Sequence, residues 1–483
     1  MEKQASIKRN FIMNAILNAS AFIFPLITFT YASRVVLPVG TGKVAFATSA
    51  LNYFSMVAML GIPTYGIRAC AQVRDDKEKL SRTTQEIFTI NLVMSVLVYA
   101  VFLVTLFTVP KFRADTALMF VMSSTIVFNL IGMEWLYKAL EQYTYITIRS
   151  LIFKALAVVL LFLLVHNPDD YVFYGLTTVV AASASNIMNL INARKYIFMK
   201  PVGGYDFRQH FKPIGVFFAM SVATTIYTNL DTLMLGFMKG DAETGYYNAA
   251  VKVKTIVVSL VTSIGTVLLP RVSYYIEKKM EKEFKSVTAK AFNVVVLMAL
   301  PLVIYFMFCA KETMKFLAPE YMNAVFPMQV IMPSVFLIGL TNVMGIQILV
   351  PQGRENMVLV SEIVGAIVNV ILNALWIPML GSTGAALGTL AAEFAVLVVQ
   401  AIALKDFLKG VIKEVRIGKI LLSCVIAFAA TFGVHRIGPS NNFLMLVLTA
   451  VVFFGVYGIL LLALKEPMMY DTMRGLKQKV LKR

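Results

Sequence analysis

Apolar segments of about 18–25 residues recur along the whole chain, parted by short polar breaks, and each is long enough to cross a bilayer as an α-helix. About fourteen are expected, at 11–32, 44–66, 87–109, 115–137, 147–165, 171–192, 213–237, 246–269, 288–309, 325–349, 357–379, 384–404, 418–435 and 442–464. The breaks alternate in character. One set is basic: Arg68 to Arg82, Arg194 to Lys212, Arg271 to Lys290, Lys405 to Lys419 and the tail from Lys465 to Arg483. The other set is poor in Lys and Arg: NPDD at Asn167, GDAETG at Gly240, GSTG at Gly381 and IGPSNN at Ile437. Placing the basic set in the cytoplasm puts about 34 of the 44 Lys and Arg inside and both termini in the cytoplasm, as the positive-inside rule asks. The first apolar run, Phe11 to Ala32, is too long for a signal-peptide core and has no small-residue cleavage site, so it is expected to stay as a span.

The pattern repeats. Thr41-Gly42 and Thr244-Gly245 each begin a span, Arg68 and Arg271 each follow one, and 244 − 41 and 271 − 68 both equal 203. Beyond each arginine comes a charged amphipathic stretch, RACAQVRDDKEKLSR and RVSYYIEKKMEKEFKS. An all-α polytopic membrane fold follows, with two parallel six-helix lobes, 1–205 and 206–405, and a region 406–483 that adds two helices and a basic tail. Alternating-access transporters are commonly built from such repeats, with the substrate site between them at mid-membrane.

Composition agrees with the pattern. Hydrophobic residues make up 59% of the chain and charged ones 14%, against roughly 25% in a soluble domain. The net charge of +18 is therefore read loop by loop as topology and lipid attraction, with no nucleic-acid partner implied. Cys70, Cys309 and Cys424 stand alone, and His166, His210 and His435 are scattered. Neither a disulfide framework nor a metal site nor another cofactor is indicated.

Charge inside the spans is the sharpest clue, because an ionised side chain near the bilayer centre costs about 2.5–3.5 kcal/mol on insertion scales. The hairpin from Thr228 to Arg271 carries Asp231 on one arm and Lys252 and Lys254 on the other. Asp231 ends a stripe of Ser221, Thr224 and Thr228, while Lys252 begins one of Thr255, Ser259, Thr262 and Thr266. Lys254 is turned about 200° away, which makes Lys252 the better cavity residue. Both Asp231 and Lys252 are expected about 9 Å below the outer surface. They could neutralise one another, or leave a cation over for a ligand. Arg34 at the outer end of the first span, and Arg149 and Lys154 in the fifth, are expected to snorkel toward headgroups, Lys154 least readily. Glu362, Asn369 and Asn373 share a face of the eleventh span, and Glu393 sits near the middle of the twelfth. Such carboxyls are either protonated and hydrogen-bonded or titrate with a coupled ion.

The stretches TNLDTLMLGFMKGDAETGYYNAAVKV, SIGTVLLPRVSYY, IGMEWLYKALEQYTYITIRS and IVNVILNALWIPMLGSTGAALGTLAAE resemble the polysaccharide transporter family. These are the Wzx-type flippases of the multidrug/oligosaccharidyl-lipid/polysaccharide superfamily. Fourteen spans suit that family better than the twelve usual for its drug-exporting MATE relatives. The resemblance implies a bacterial cytoplasmic-membrane protein that moves an undecaprenyl-diphosphate-linked oligosaccharide to the outer leaflet, served by a polymerase and glycosyltransferases of the same pathway. It further implies that Lys252 and Arg34, with Lys254 and Lys154 as further cations, hold the anionic headgroup. Arg68 would lie at the inner mouth, Glu393 would serve ion coupling, and Glu362 and Asp231 would couple ions or pair charges. Thr228, Thr255, Ser259, Asn369 and Asn373 would line the polar cavity. Two alternatives stand beside this reading. A MATE-like ion-coupled drug antiporter should have an acidic cavity, and an oligosaccharide polymerase or ligase needs a long outer loop and catalytic residues that the chain does not display.

Overall fold

A computed structural model of the chain describes residues 7–263, 272, 274–411, 417–439 and 441–470. Thr266, Arg271 and the basic tail beyond Tyr470, all named above, lie outside the described residues. Helix dominates the described residues, and no strand occurs among them. Among the described residues ten helices are long and apolar enough to cross a membrane, or eleven when the bent pair Pro319–Ile331 with Pro333–Leu349 is counted as one span. The chain is thus a multi-pass membrane protein. The other expected spans fall on helix too. Thr116–Gly132 has only 17 residues, Tyr171–Ala193 is interrupted by a π-turn at Val180–Ala184, and Asp241–Thr262 is too polar along its length to be counted.

The chain packs as two compact units, Met1–Asn248 and Ala249–Arg483. In the first unit run α1 (Ile7–Val35), α2 (Leu37–Met59), α3 (Ile62–Gln72), α4 (Lys77–Thr108), α5 (Pro110–Ala114), α6 (Thr116–Gly132), α7 (Glu134–Ala139), α8 (Tyr143–Leu164), α9 (Tyr171–Val179), α10 (Asn186–Ala193), α11 (Arg208–Met238) and the start of α12 (Asp241–Thr262). The sequence offset of 203 lays α1 and α2 on α11 and α12 almost residue for residue. Packing divides the chain later than that symmetry does, inside α12, because α11 lies against α2 and α3.

Local signals explain the breaks. α2 gives way to α3 through Leu60 and Gly61, both left-handed (φ 47° and 71°), with Pro63 opening the new helix. Only glycine fits at 61, since a Cβ there would lie 2.4 Å from the backbone of Phe217 in α11. Asp76 caps α4, its carboxylate accepting from the amides of Glu78 and Lys79 at 3.0 and 3.1 Å. Along α4, Val93, Val96, Leu97, Val101, Val104 and Phe107 form an exposed apolar stripe suited to acyl chains. Two buried clusters hold this unit, one around Phe46, Phe102, Leu118 and Ile126, the other around Ile62, Ile87, Trp135 and Leu136.

The second unit continues from α12 into α13 (Glu281–Phe308), α14 (Ala310–Leu317), α15 (Val325–Ile331), α16 (Pro333–Asn342), α17 (Glu355–Leu380), α18 (Ser382–Ala403), α19 (Lys405–Val411), α20 (Ile417–Ile437) and α21 (Asn442–Ala463). α17 and α18 form a tight hairpin in which a Cβ on Gly384 would meet the Trp376 carbonyl at 2.4 Å. The last two helices pack on α13, where Tyr305 donates to the Leu446 carbonyl and Tyr457 to the Leu297 carbonyl, each at 2.8 Å.

Candidate substrate-binding site

The hairpin of α11 and α12 turns at Lys239–Gly240, earlier than the apolar pattern suggests, because Asp241 and Glu243 open α12 instead of lying in a loop. Carboxylates are favoured there by the positive end of the helix dipole. Lys252 therefore lies eleven residues into its helix, about 16 Å along it, whereas Asp231 is about 10 Å from the end of α11. The equal depth expected of the two is not found.

Asp231 is 8% exposed and accepts a hydrogen bond from Tyr247 Oη. Its neighbour Asn229 ties α11 to α2: Ser49 donates to the Asn229 carbonyl at 2.6 Å and Asn52 to its amide oxygen at 2.8 Å. Thr228 is exposed and bonds back to the Thr224 carbonyl. Lys252 and Thr255 are exposed, Ser259 and Thr262 half-buried, while Val257 and Val261 on the opposite side are fully buried. Lys254 falls on that opposite side and is half-buried. Lys252 makes no ion pair or hydrogen bond among the described residues.

The remaining expected residues are dispersed. Arg34 is exposed at the end of α1 and Arg68 exposed on α3. Lys154 is half-buried and donates to Ser20 Oγ of α1 at 2.7 Å, so it faces a neighbouring helix. Arg149 does not snorkel. It is 5% exposed, paired with Glu134 at 3.1 Å and donating to Asn186 at 2.8 Å. Asn369 and Asn373 are buried in the α17–α18 seam, bonded to each other at 3.0 Å, where a Cβ on Gly388 would lie 2.1 Å from Asn373. That is helix glue and not a cavity lining. Glu362 is half-buried beside this seam, whose buried face is Ser361, Gly365, Asn369 and Asn373; Glu393 is 5% exposed on α18.

Several polar clusters escape sequence reasoning. Glu86, 1% exposed, accepts from His210 Nε2 at 2.8 Å and from the Asp206 amide at 2.6 Å, and the other His210 nitrogen meets Tyr65 Oη at 2.6 Å. Glu312 pairs with His435 at 2.9 Å. Lys111 pairs with Asp241 at 2.6 Å and Lys43 with Asp115 at 2.7 Å. Partners lie as many as 130 residues apart, so only an isolated charge beside a span hints at them. In the second unit a cavity of about 500 Å³ is lined by Tyr275, Lys279, Glu281, Phe284, Lys285, Gln352, Asp406 and Phe407. Two lysines against two carboxylates leave it without a charge preference. No group of His, Cys, Asp and Glu able to hold a metal occurs among the described residues.

The sequence profile described as polysaccharide biosynthesis protein matches residues 7–276, more than half of the chain. The chain belongs to that family. A second profile, MatE, matches residues 217–375. Family relatives include a putative O-antigen transporter of Escherichia coli (strain K12), 24% identical over 71% of this chain and 83% of its own length. Another is the probable low-salt glycan biosynthesis flippase Agl15 of Haloferax volcanii, 22% identical over 58% of this chain and 55% of its own. Among solved structures, the lipid II flippase MurJ in an inward closed conformation superposes with a TM-score of 0.74 at 14% identity, covering 96% of this chain and 99% of that one. An inward-facing MATE multidrug transporter reaches 0.62 at 13% identity over 81% and 95%. The chain thus shares the fold of these transporters.

Proposed function

We propose that this family member flips a lipid-linked oligosaccharide with an anionic, diphosphate-bearing headgroup from the cytoplasmic to the outer leaflet of a bacterial cytoplasmic membrane. The observation that carries the reading is Lys252: a cation about 16 Å into its helix, exposed, at the head of a hydroxyl stripe, with no partner among the described residues. Facing acyl chains it would be costly, so its place calls for water or an anion. A diphosphate supplies that anion, and the hydroxyls of Thr255 and Ser259 replace part of its water. The relatives' names favour glycan carriers as cargo.

In this reading fourteen helices cross the membrane with both termini in the cytoplasm, the polyprenyl tail stays in lipid, and two lobes alternate access to the headgroup. Arg34 and Arg68 meet the headgroup at the two ends of its path. No covalent bond changes. Complementation of a flippase-deficient strain tests it. Lys252→Ala is expected to abolish surface polysaccharide while the protein remains in the membrane at normal level, and Lys252→Arg to keep much of the activity. Full activity of Lys252→Ala would overturn the assignment.

A further inference from the structure

α2 and α12 begin at the same end of the first unit, and their backbones touch there. A Cβ on Gly42 would lie 1.8 Å from the carbonyl oxygen of Asp241, and one on Gly245 would lie 1.9 Å from the carbonyl oxygen of Pro38. The 203-residue offset carries Gly42 onto Gly245 and Pro38 onto Asp241. The two contacts are therefore one contact made twice, as at a surface that meets itself across a two-fold axis. Only glycine permits such an approach, and adjoining Thr41 and Thr244 are 1% and 0% exposed.

The charges and rings around this crossing close it. Asp241, in the first turn of α12, is held by Lys111 of α5 at 2.6 Å, both side chains about four-fifths buried. Lys43, one residue beyond Gly42, is held by Asp115 at 2.7 Å, and Tyr171 donates to the same carboxylate at 3.0 Å. Beneath them Phe46 meets Phe112 and Phe237 edge-on, with ring centroids 5.8 and 5.1 Å apart. The whole assembly sits at the end of the helices that carries the NPDD and GDAETG breaks, which are themselves free of Lys and Arg.

We propose that the Gly42–Gly245 crossing is the closed outer gate of the transport path, the phenylalanines its plug and the Lys111–Asp241 pair its latch. This rests on the alternating-access reading above: a carrier open at its basic end must be shut at the other. A self-complementary backbone contact suits that task, because it cannot yield by degrees; either both carbonyl–glycine contacts are made or the helix starts part. One partly buried ion pair then biases the closed form without fixing it permanently. Gly42, Gly245, Lys111 and Asp241 are positioning residues in this scheme. They touch no cargo, and they decide which face of the membrane the cargo site sees.

Thiol labelling tests the gate without reference to cargo. Thr244→Cys buries a reporter in the crossing, and Cys70, Cys309 and Cys424 are buried and leave the background low. Intact cells are treated with a membrane-impermeant maleimide. If the open form is a minor state of about 0.1–10%, adding Gly42→Leu or Lys111→Asp should raise labelling of the reporter roughly tenfold or more. Combining Lys111→Asp with Asp241→Lys should bring it back down, which a misfolded protein would not do. Unchanged labelling in both single variants, no recovery in the swapped pair, or labelling only after the cells are permeabilised would each overturn the proposal. A wrong cargo would show instead in the Lys252 complementation and leave these labelling ratios as stated.

Discussion

Arg149 illustrates how a charge inside a span is judged by its partners. Its guanidinium reaches Glu134 on α7 and Asn186 on α10, joining three helical pieces of the first unit. Glu134 is also held by Lys138 at 2.8 Å, so losing the arginine leaves the carboxylate a remaining partner. Arg149 is buried but the Glu134 side chain is 38% exposed, so Arg149→Ala is expected to cost about 1–2 kcal/mol, less than the roughly 3 kcal/mol of a fully buried pair, and to lower the melting temperature in detergent. The Arg149→Met, Glu134→Met double variant should recover most of that loss; a double variant no more stable than the single would contradict the pairing argument. Lys252 is the contrasting case. It has the same burden of charge with no partner among the described residues, so a ligand role is assigned to it and a structural one to Arg149.

At the scale of single elements, ends matter more than middles. α4 begins where the Asp76 carboxylate takes the amides of Lys79 and Glu78, and these hydrogen bonds, the Lys79 amide foremost, hold its pKa below the usual carboxylate value. A depressed pKa means that the cap is fully present above the unfolded value of about 3.9 and fades as pH falls through the lower folded value. Hydrogen exchange should therefore show the Glu78 and Lys79 amides protected at neutral pH and losing protection on acidification. Asp76→Ala should remove the protection at every pH, and Asp76→Asn should keep it. α12 shows the same lesson on a larger scale: Asp241 and Glu243 look like loop residues, yet the helix dipole makes them a helix start, and that shift sets the depth of Lys252.

For the molecule as a whole, the open question is what drives turnover. Glu393, 5% exposed on α18, remains the residue proposed for ion coupling. Transport into proteoliposomes should depend on an imposed pH or sodium gradient, and Glu393→Gln should remove that dependence while leaving headgroup binding intact. An unchanged ion dependence would remove Glu393 from the mechanism and favour the membrane potential acting on the charged cargo itself.

Much of this architecture was legible in the amino-acid order, and the reason is the solvent. Hydrocarbon offers no hydrogen bonds, so each span must satisfy its own backbone as a helix, and a helix is a local object announced by a local run of apolar residues. The spans, the basic and non-basic breaks and the divergence of Lys252 from Lys254 around α12 follow from neighbours in sequence, and the 203-residue repeat from laying two such local runs side by side. Which charges meet is not local. Glu86 with His210, Lys111 with Asp241 and Glu312 with His435 join residues 124, 130 and 123 positions apart, and nothing in either neighbourhood names the other. The same holds for Asn369 and Asn373, expected from their stripe to line a cavity, whereas Gly388 of the neighbouring helix is pressed against Asn373. Tertiary packing alone made those choices, because an ion pair is selected by distance in space, and the helices that set the distance come from opposite ends of a unit.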